Sequence, residues 1–192
     1  MHAPLALEPQ TGNWEAETLM SSALSCGYML TIRPAAPADI PLILQLIREL
    51  AEYERSPASA VVTADDLYRD GWGPEPKFRC LIADWNSESA GFALFFYNYS
   101  TWQGRPGLYL EDIFVRPAFR GRGIGQAFLI CLAQIAQREN CGRFQWQVLD
   151  WNTPAIEFYK SLGAETLGEW LTMRVEGEAL TRLAARGLPG TK

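Results

Sequence analysis

A short stretch of the chain combines two adjacent carboxylates with a glycine-rich turn that carries two arginines. Residues 108–115 are apolar, aromatic or β-branched apart from Glu111 and Asp112, which is typical of a buried strand. Residues 120–125 read Arg-Gly-Arg-Gly-Ile-Gly, and an apolar run of helical character follows. Glycines at such a turn let a ligand approach the backbone, and N–H groups at the start of a helix favour anions. The stretch therefore predicts a pocket for a phosphorylated ligand.

Two familiar nucleotide-binding motifs do not fit this turn. The dinucleotide fingerprint needs Gly-x-Gly-x-x-Gly, whereas Gly121, Gly123 and Gly125 have the spacing Gly-x-Gly-x-Gly. The nucleoside-triphosphate loop ends in Gly-Lys-Ser or Gly-Lys-Thr, and this turn does not. What remains is Arg-x-x-Gly-x-Gly directly after a strand that carries Glu-Asp. This pattern resembles the pyrophosphate-binding loop of the GNAT N-acetyltransferases, which bind acetyl-CoA.

The resemblance covers roughly residues 29–180 and is strongest to the diamine and polyamine acetyltransferase branch. It is carried by Leu-Tyr-Leu-Glu-Asp-Ile-Phe-Val at 108–115, Leu-Ala-x-Tyr-Glu at 50–54, Tyr-x-x-Trp at 99–102 and Asp-Trp-Asn-x-Pro-x-Ile-x-Phe-Tyr-Lys at 150–160. It implies direct transfer of acetyl from acetyl-CoA to a small primary amine. One departure is Ser100, where the mammalian polyamine enzymes have an acidic residue. This departure favours a diamine or a thialysine-like amino acid over spermine or spermidine as the acceptor.

The resemblance gives the catalytic roles to Glu111 and Tyr159. An alkylammonium group with a pKa of about 10 must lose a proton before it attacks, and the resemblance implies that Glu111 removes it through a water. Tyr159 would then protonate the leaving thiolate. Adjacent strand residues face opposite sides of a sheet, so we expect only one of Glu111 and Asp112 to point into a given cleft. On pattern alone, a paired carboxylate and a core tyrosine are the alternatives.

The resemblance also implies a cofactor surface and a substrate surface. Backbone groups of the strand would pair with the pantetheine arm and polarise the thioester carbonyl, while the loop and its arginines would bind phosphates. Each of these roles has a structural alternative. Arg120 and Arg122 would then be solvated loop side chains, Asn152 a helix cap and Glu54 a solvated helix end. The cofactor residues are Ile113, Phe114, Val115, Arg120, Gly121, Arg122, Gly123, Ile124, Gly125, Gln126 and Asn152, and the substrate residues are Glu54, Trp102, Glu111 and Asp112.

The composition argues against several other classes of chemistry. The only histidine is His2, so Ser-His, Cys-His and His-metal mechanisms are nearly excluded. The net charge is −5, which does not indicate a nucleic-acid partner and suits a cationic substrate. The four cysteines lack metal-binding spacing, so we expect no metal and free thiols in a reducing cytoplasm. No apolar run is long enough to span a bilayer, and we expect no membrane partner.

The elements that must position these residues follow from periodicity. Apolar residues at helical spacing indicate a first helix, and Thr63 with Asp66 resembles the capping box of a second. The order of elements predicts an α/β fold, with a mixed central sheet and helices on both faces. The predicted strands are 29–34, 78–83, 90–97, 108–115, 143–149 and 166–175, the predicted helices are 37–53, 63–71, 126–137, 152–162 and 178–186, and the core stripe of the first helix is Ile40, Ile43, Leu44, Ile47, Leu50 and Ala51.

We expect a single domain over residues 29–186. Residues 1–28 show no clear periodicity and no Lys or Arg, so they are predicted to be a poorly ordered extension rather than a signal peptide, and 187–192 a C-terminal tail. The predicted function is acetyl-CoA-dependent N-acetylation of a small polyamine or diamine, and the resemblance implies a homodimer. The alternatives are a thialysine-like or lysine-like amino acid or a protein amine as acceptor, or a non-catalytic acyl-CoA-binding sensor.

Overall fold

Six strands pair into one sheet in the part of the chain that the computed structural model describes, residues 20–23 and 29–187. They follow one another across the sheet in chain order, and each neighbouring pair is antiparallel except β5 and β6, which are parallel. The strands are β1 (Met20–Ala23), β2 (Met29–Pro34), β3 (Arg79–Trp85), β4 (Glu88–Ser100), β5 (Arg105–Val115) and β6 (Arg143–Trp146). The helices are α1 (Ile40–Tyr53), α2 (Ala64–Trp72), α3 (Ile124–Arg138), α4 (Thr153–Ser161) and α5 (Gly177–Ala184).

Both faces of the central strands are buried, because helices cover both. On β3, Cys80 and Ile82 belong to the apolar cluster that also contains the inner faces of α1 and α2. Leu81 and Ala83 alternate with them and are fully buried on the opposite face. Helix α3 packs against β2, β3, β5 and β6. The predicted α/β fold, a mixed sheet flanked by helices on both faces, is therefore confirmed.

Helix α1 buries most of its predicted stripe. Ile40, Ile43 and Leu50 are buried, Leu44 and Ile47 pack partly buried against the same cluster, and Leu46 joins the core although the prediction did not include it. The helix ends at Tyr53, and the chain then turns away because Arg55 adopts a left-handed conformation with φ of 61°. The end of α1 thus brings Tyr53 and Glu54 to the rim of the sheet.

The capping box predicted at the start of α2 is confirmed. The Thr63 hydroxyl accepts a hydrogen bond from the Asp66 backbone N–H at 3.2 Å, and the Asp66 carboxylate accepts from the Thr63 N–H at 3.1 Å. These reciprocal bonds satisfy two N–H groups that a helix start leaves free. They fix α2 relative to the segment that precedes it, residues 59–62.

The predicted elements were wrong in places at both ends of the sheet. Residues 166–175 were predicted as a strand and form none, because a composition that suits a strand does not by itself supply a pairing with a neighbour. Strand β6 ends at Trp146 and not at residue 149. Strand β1 lies inside the predicted N-terminal extension and pairs with β2. The remaining predictions of a poorly ordered extension and of a tail concern residues 1–19, 24–28 and 188–192, which lie outside the described residues.

The described residues form two compact units. One ends at Gln147 and contains the sheet with α1, α2 and α3, and the other begins at Val148 and contains α4 and α5. The carboxylates and the glycine loop belong to the first unit, whereas Asn152 and Tyr159 belong to the second.

Candidate functional site

A β-bulge in β5 brings the two adjacent carboxylates to one pocket. Leu94 of β4 pairs with Asp112, and the next residue of β4, Phe95, pairs with Leu110. Glu111 is therefore the extra residue on β5, and a bulge of this kind breaks the strict alternation of side chains. Glu111 and Asp112 both line the same pocket. The expectation that only one of them can point into a given cleft assumed an unbroken strand, and the bulge removes that assumption.

The pocket around these carboxylates is acidic at one side and mostly aliphatic elsewhere. Its volume is about 480 Å³, within the usual range for small-molecule sites. Its apolar walls come from α1, α2, the strands and the segment before α2. The described residues that line it are Ile47, Ser59, Ala60, Val61, Val62, Asp66, Leu67, Phe78, Leu94, Glu111 and Asp112, and none of them is basic.

Asp112 has a carboxyl group whose pKa is raised, whereas hydrogen bonds from Thr63 and Arg69 lower the pKa of Asp66, the acidic residue of α2 in the same pocket. The Asp112 side chain is partly buried, and burial is the main cause that raises its pKa from 3.8 to about 6. The negative charges of Glu111 and Glu54 raise this pKa further. Burial also raises the pKa of Glu54 above its ordinary value. The three predicted substrate carboxylates therefore form one electrostatic group, although Glu54 does not line the pocket itself.

Trp102, the fourth predicted substrate residue, lies away from this pocket within the chain. It occupies the turn between β4 and β5, and its side chain is 90% exposed. The ladder runs from the Leu94–Asp112 pair to the Ser100–Arg105 pair at the turn, six steps or about 20 Å of strand. Ser100 is buried, and its hydroxyl accepts a hydrogen bond from the Gln103 N–H at 3.2 Å, so this serine stabilises the turn.

The opposite edge of β5 is open beyond the bulge. The parallel ladder with β6 ends at the pair Leu110–Trp146, whereas β5 continues to Val115. Ile113, Phe114 and Val115 pair with β4 on their other side. On the side toward β6, these three residues form no ladder pair in the described part of the sheet. An extended amide chain such as pantetheine could add its hydrogen bonds to such an edge.

The glycine loop supplies the second element of a cofactor surface. Gly121 and Gly123 have φ angles of 73° and 79°, values that favour glycine. A Cβ atom at either position would meet nothing within 4 Å, so the space beside both is open. Helix α3 starts at Ile124, and the first N–H groups of a helix, here those of Ile124, Gly125 and Gln126, have no partner within the helix. The loop therefore fits the pyrophosphate of acetyl-CoA.

Both arginines of the loop contact the protein itself. Arg120 donates from Nε to the Val115 carbonyl at 3.0 Å, and its guanidinium carbon lies 4.5 Å from the centre of the Tyr53 ring. Arg122 donates to the Ala118 carbonyl at 3.1 Å and lies 5.1 Å from the Trp85 ring. Each arginine is therefore held in part by the protein, so it is neither fully solvated nor directed only at a ligand.

The second unit contains the predicted general acid. Tyr159 lies on α4, next to Phe158, whose ring centre is 5.4 Å away. Asn152 is the residue before this helix, and its carbonyl accepts hydrogen bonds from the N–H groups of Ala155 and Ile156 at 3.1 Å. The helix prediction from Asn152 onward is thus confirmed, and the catalytic role of Tyr159 stays a prediction.

Sequence reasoning missed the wall of the pocket that α2 and the preceding segment provide. Val61, whose side chain is 81% exposed, lines the pocket together with the two carboxylates of β5. Asp66, the acidic residue of the capping box, lines it as well. The signal was present, since two valines in a Ser- and Ala-rich segment have no helical or strand pattern to explain them. The ion pair of Glu49 with Arg116 was also missed, because the two residues are 67 positions apart.

The three cysteine thiols that the structure describes, Cys80, Cys131 and Cys141, all have a raised pKa and so show no sign of a nucleophile. Cys80 and Cys131 are buried, and burial raises the pKa of Cys131 to about 11 and that of Cys80 further still. Among the described side chains, no three or more His, Cys, Asp or Glu residues are placed to hold a metal ion. None of the helices in residues 29–187 is both long and apolar enough to cross a membrane.

Known proteins that are similar to this chain include acetyltransferases. The profile of the acetyltransferase (GNAT) family matches residues 43–164. The chain is 42% identical to thialysine N-epsilon-acetyltransferase from Sus scrofa over 166 residues, which cover 81% of this chain and 97% of that protein. It is also 40% identical to spermidine/spermine N(1)-acetyltransferase-like protein 1 from Homo sapiens, over 80% of this chain and 23% of that longer protein.

A solved structure of another protein has the same fold as this chain. An integron cassette protein from the mobile metagenome of V. cholerae superposes with a TM-score of 0.70 at 27% identity. The match covers 82% of this chain and 98% of that one. The fold, and not only the motifs, is therefore shared.

Proposed function

Since this chain belongs to the acetyltransferase (GNAT) family, we propose that it moves acetyl from acetyl-CoA to a primary amine of a small diamine or polyamine. The broader activity is established by the relatives: the chain is an acetyl-CoA-dependent amine N-acetyltransferase. The proposal concerns the acceptor, the residues that act on it and the assembly in which they act.

The observation that carries the choice of acceptor is the charge of the pocket. Glu111, Asp112 and Asp66 are the ionisable residues that line it, and Glu54 adds a further negative charge nearby. The aliphatic walls would contact the methylene groups of an alkyl amine. Asp66 is already paired with Arg69 at 2.8 Å, so the charge that would attract an amine is mainly that of Glu111 and Asp112, with Glu54 nearby. A dication with an aliphatic linker satisfies both features.

The proposed chemistry is direct attack of the free amine on the thioester. An amine with a pKa of about 10 enters mostly as its ammonium ion, so a carboxylate must hold the proton it loses. Glu111 takes this proton through a water, and Asp112 with its raised pKa holds the ammonium group beside it. A backbone N–H at Ile113–Val115 stabilises the developing oxyanion. The buried cysteine thiols take no part.

Tyr159 is the proposed general acid. Expulsion of a thiolate with a pKa near 8.5 is helped by a proton at neutral pH, and a phenol can supply it. The support is the family motif that Asn152 and Tyr159 complete. The glycine loop and the first N–H groups of α3 bind the pyrophosphate, which leaves the thioester end directed along β5.

The decisive test is thiol release from acetyl-CoA with a panel of amines. Putrescine, cadaverine, spermidine and spermine should be turned over, and Glu111→Gln should lower kcat for each of them. Glu75→Gln is a suitable control, because Glu75 is exposed and does not line the pocket. Absence of turnover with every amine, together with tight CoA binding, would favour the sensor alternative.

A lysine-like amino acid is the second candidate acceptor. It is favoured by the identity to a protein named for thialysine, and by Ser100, which the chain has at a position that is acidic in the mammalian polyamine enzymes. Matched pairs separate the two candidates, since ornithine and putrescine, or lysine and cadaverine, differ only by a carboxylate. Higher kcat/KM for ornithine, lysine or thialysine than for the diamines would replace the diamine proposal with this one.

We also propose that the enzyme works as a cytoplasmic homodimer. The support is the family resemblance and a set of thiols that suits a reducing compartment. Light scattering coupled to gel filtration measures the mass directly. A mass of one chain at micromolar concentration would remove the dimer from the proposal.

A further inference from the structure

The last turns of α1 are tied to the connection between β5 and α3 at two points. Glu49 and Tyr53 are four residues apart and so lie on the same face of α1. Arg116 donates from Nε and Nη2 to the two oxygens of Glu49 at 2.9 and 2.8 Å, which also holds the pKa of Glu49 below its ordinary value. Its third donor, Nη1, reaches the Ser89 carbonyl at 2.8 Å.

The second point is the stack of Arg120 on Tyr53. The guanidinium carbon lies 4.5 Å from the ring centre, within the range of a cation–π contact. The same guanidinium group donates to the carbonyl of Val115, the last residue of β5, at 3.0 Å. Arg120 directly precedes Gly121, so this one side chain connects the end of α1, the end of β5 and the glycine loop.

The residue after Tyr53, Glu54, is linked to the amine pocket. Glu54 directly follows the last residue of α1, and its N–H donates to the Leu50 carbonyl at 2.9 Å. Ile47 of the same helix lines the amine pocket, and the negative charge of Glu54 acts on Asp112 in that pocket. Two consecutive residues of one helix end therefore connect to the cofactor loop and to the amine pocket respectively.

We propose that Tyr53 is a positioning residue that couples the cofactor loop to the amine pocket. Its ring holds Arg120 and thereby the loop, while the helix end that it anchors carries Glu54. The inference rests on the proposed function, with acetyl-CoA at the loop and an amine in the pocket. A cofactor on the loop should hold Arg120 and the end of α1 in place and so tighten amine binding. Because coupling between two ligands is reciprocal, an amine should then tighten CoA binding by the same factor.

The first test measures CoA binding by calorimetry, so it needs no turnover. Tyr53→Leu should weaken CoA binding about twofold to fivefold, the range expected when an exposed cation–π contact is lost. Tyr53→Phe keeps the ring and should restore the wild-type affinity. Tyr68→Leu is the matched control, because Tyr68 is an exposed tyrosine of α2 that does not line the pocket. Equal affinities for wild type and Tyr53→Leu would overturn the proposal.

A double-mutant cycle separates positioning from general loss of structure. In an Arg120→Met background the stack is already absent, so Tyr53→Leu should have no further effect on CoA affinity. If Tyr53→Leu weakens binding equally in both backgrounds, Tyr53 does not act through Arg120 and the proposal fails.

The coupling itself is measured as the change in CoA affinity when a saturating amine is added. The amine used is the best acceptor of the panel. The amine should tighten CoA binding to the wild type, and this gain should be reduced in Tyr53→Leu and kept in Tyr53→Phe. An unchanged gain in Tyr53→Leu would contradict the coupling. A wild-type chain that binds no CoA would instead refute the proposed function, so the two failures are distinguishable.

Discussion

Asp112 is the residue whose charge depends most on its surroundings. Burial and two neighbouring carboxylates all favour its protonated form, and its pKa of about 6 lies close to physiological pH. Perturbed groups of this kind concentrate at functional sites, although structural causes also occur. Here the group lines the pocket itself, so its protonation state should be visible in the kinetics.

The pH dependence of kcat/KM should therefore have an acidic limb near pH 6. Below this pH Asp112 becomes protonated and loses its attraction for the ammonium group. Glu54→Gln removes one of the neighbouring charges, which lowers the pKa of Asp112 and moves the limb to lower pH. The measurement is kcat/KM for a diamine between about pH 5 and pH 8, and a limb that does not move in Glu54→Gln would contradict the assignment.

Asp112→Asn should stabilise the protein while it lowers activity. A pKa raised in the folded state means that the native form binds the proton more tightly, so stability falls as the pH rises from 3.8 through about 6. At pH 8 the charged carboxylate therefore destabilises the fold, and its removal should raise the free energy of unfolding by about 3 kcal/mol, because one pKa unit corresponds to about 1.4 kcal/mol. Urea unfolding at pH 8 checks this result, and the gain should disappear near pH 4. A loss of stability at pH 8 would argue against the raised pKa.

Tyr159→Phe should lower kcat about 10²–10⁴-fold, the usual contribution of a general acid. The ring that packs near Phe158 is kept, so thermal stability and CoA affinity should change little. Steady-state turnover with the best acceptor measures the effect, and Tyr68→Phe is the control. Unchanged turnover would remove Tyr159 from the mechanism.

Among the elements, the loop between β5 and α3 depends most on backbone conformation. Gly123 occupies the position before α3 with a positive φ, although open space surrounds its Cα. The conformation itself, and not a steric clash, therefore selects glycine at this position. The same backbone presents the N–H groups that we expect at the pyrophosphate.

Gly123→Ala should lower the free energy of unfolding by about 1–2 kcal/mol, the cost of a left-handed residue with a Cβ. Acetyl-CoA binding should weaken as well, because the strained loop shifts its N–H groups. Gly168→Ala is the control, since that glycine has neither a positive φ nor a neighbour within 4 Å of an added Cβ. Thermal unfolding and CoA calorimetry measure both effects, and equal behaviour of the two variants would contradict the role of the loop.

Elements with strong local signals were predictable from the sequence. The apolar stripe of α1, the capping box at Thr63 and the glycine turn each follow from residue types at fixed spacing. The bulge at Glu111 was not predictable, because an extra residue in a strand changes no local pattern. The strand predicted at 166–175 shows the converse, since these residues have a suitable composition and yet pair with no other strand.

At the scale of the whole molecule, net charge acts together with the pocket. The chain carries a net charge of −5, and the ionisable residues described around the pocket are acidic. A polycation should therefore be attracted over distances longer than a contact, and salt should screen this attraction.

The value of kcat/KM for spermidine should fall more steeply with salt than that for a monoamine such as butylamine. The reason is that a triply charged acceptor gains more from the field of the protein. The measurement compares both amines between about 50 and 300 mM salt, where the screening length shortens from well above to below 10 Å. Parallel salt dependences would show that the net charge has no part in acceptor capture.

The bulge in β5 also has a consequence for how the site can change over generations. Two carboxylates share one pocket because β5 has one residue more than the segment of β4 that it faces. Loss of the single codon for Glu111 would remove a carboxylate and the bulge in one event, and the shortened strand would pair without irregularity. No point substitution at Glu111 has this result. An in-frame deletion could therefore reduce the two acidic groups of this pocket to one. In an alignment of proteins that evolved from this one, such a change would appear as a gap at this position.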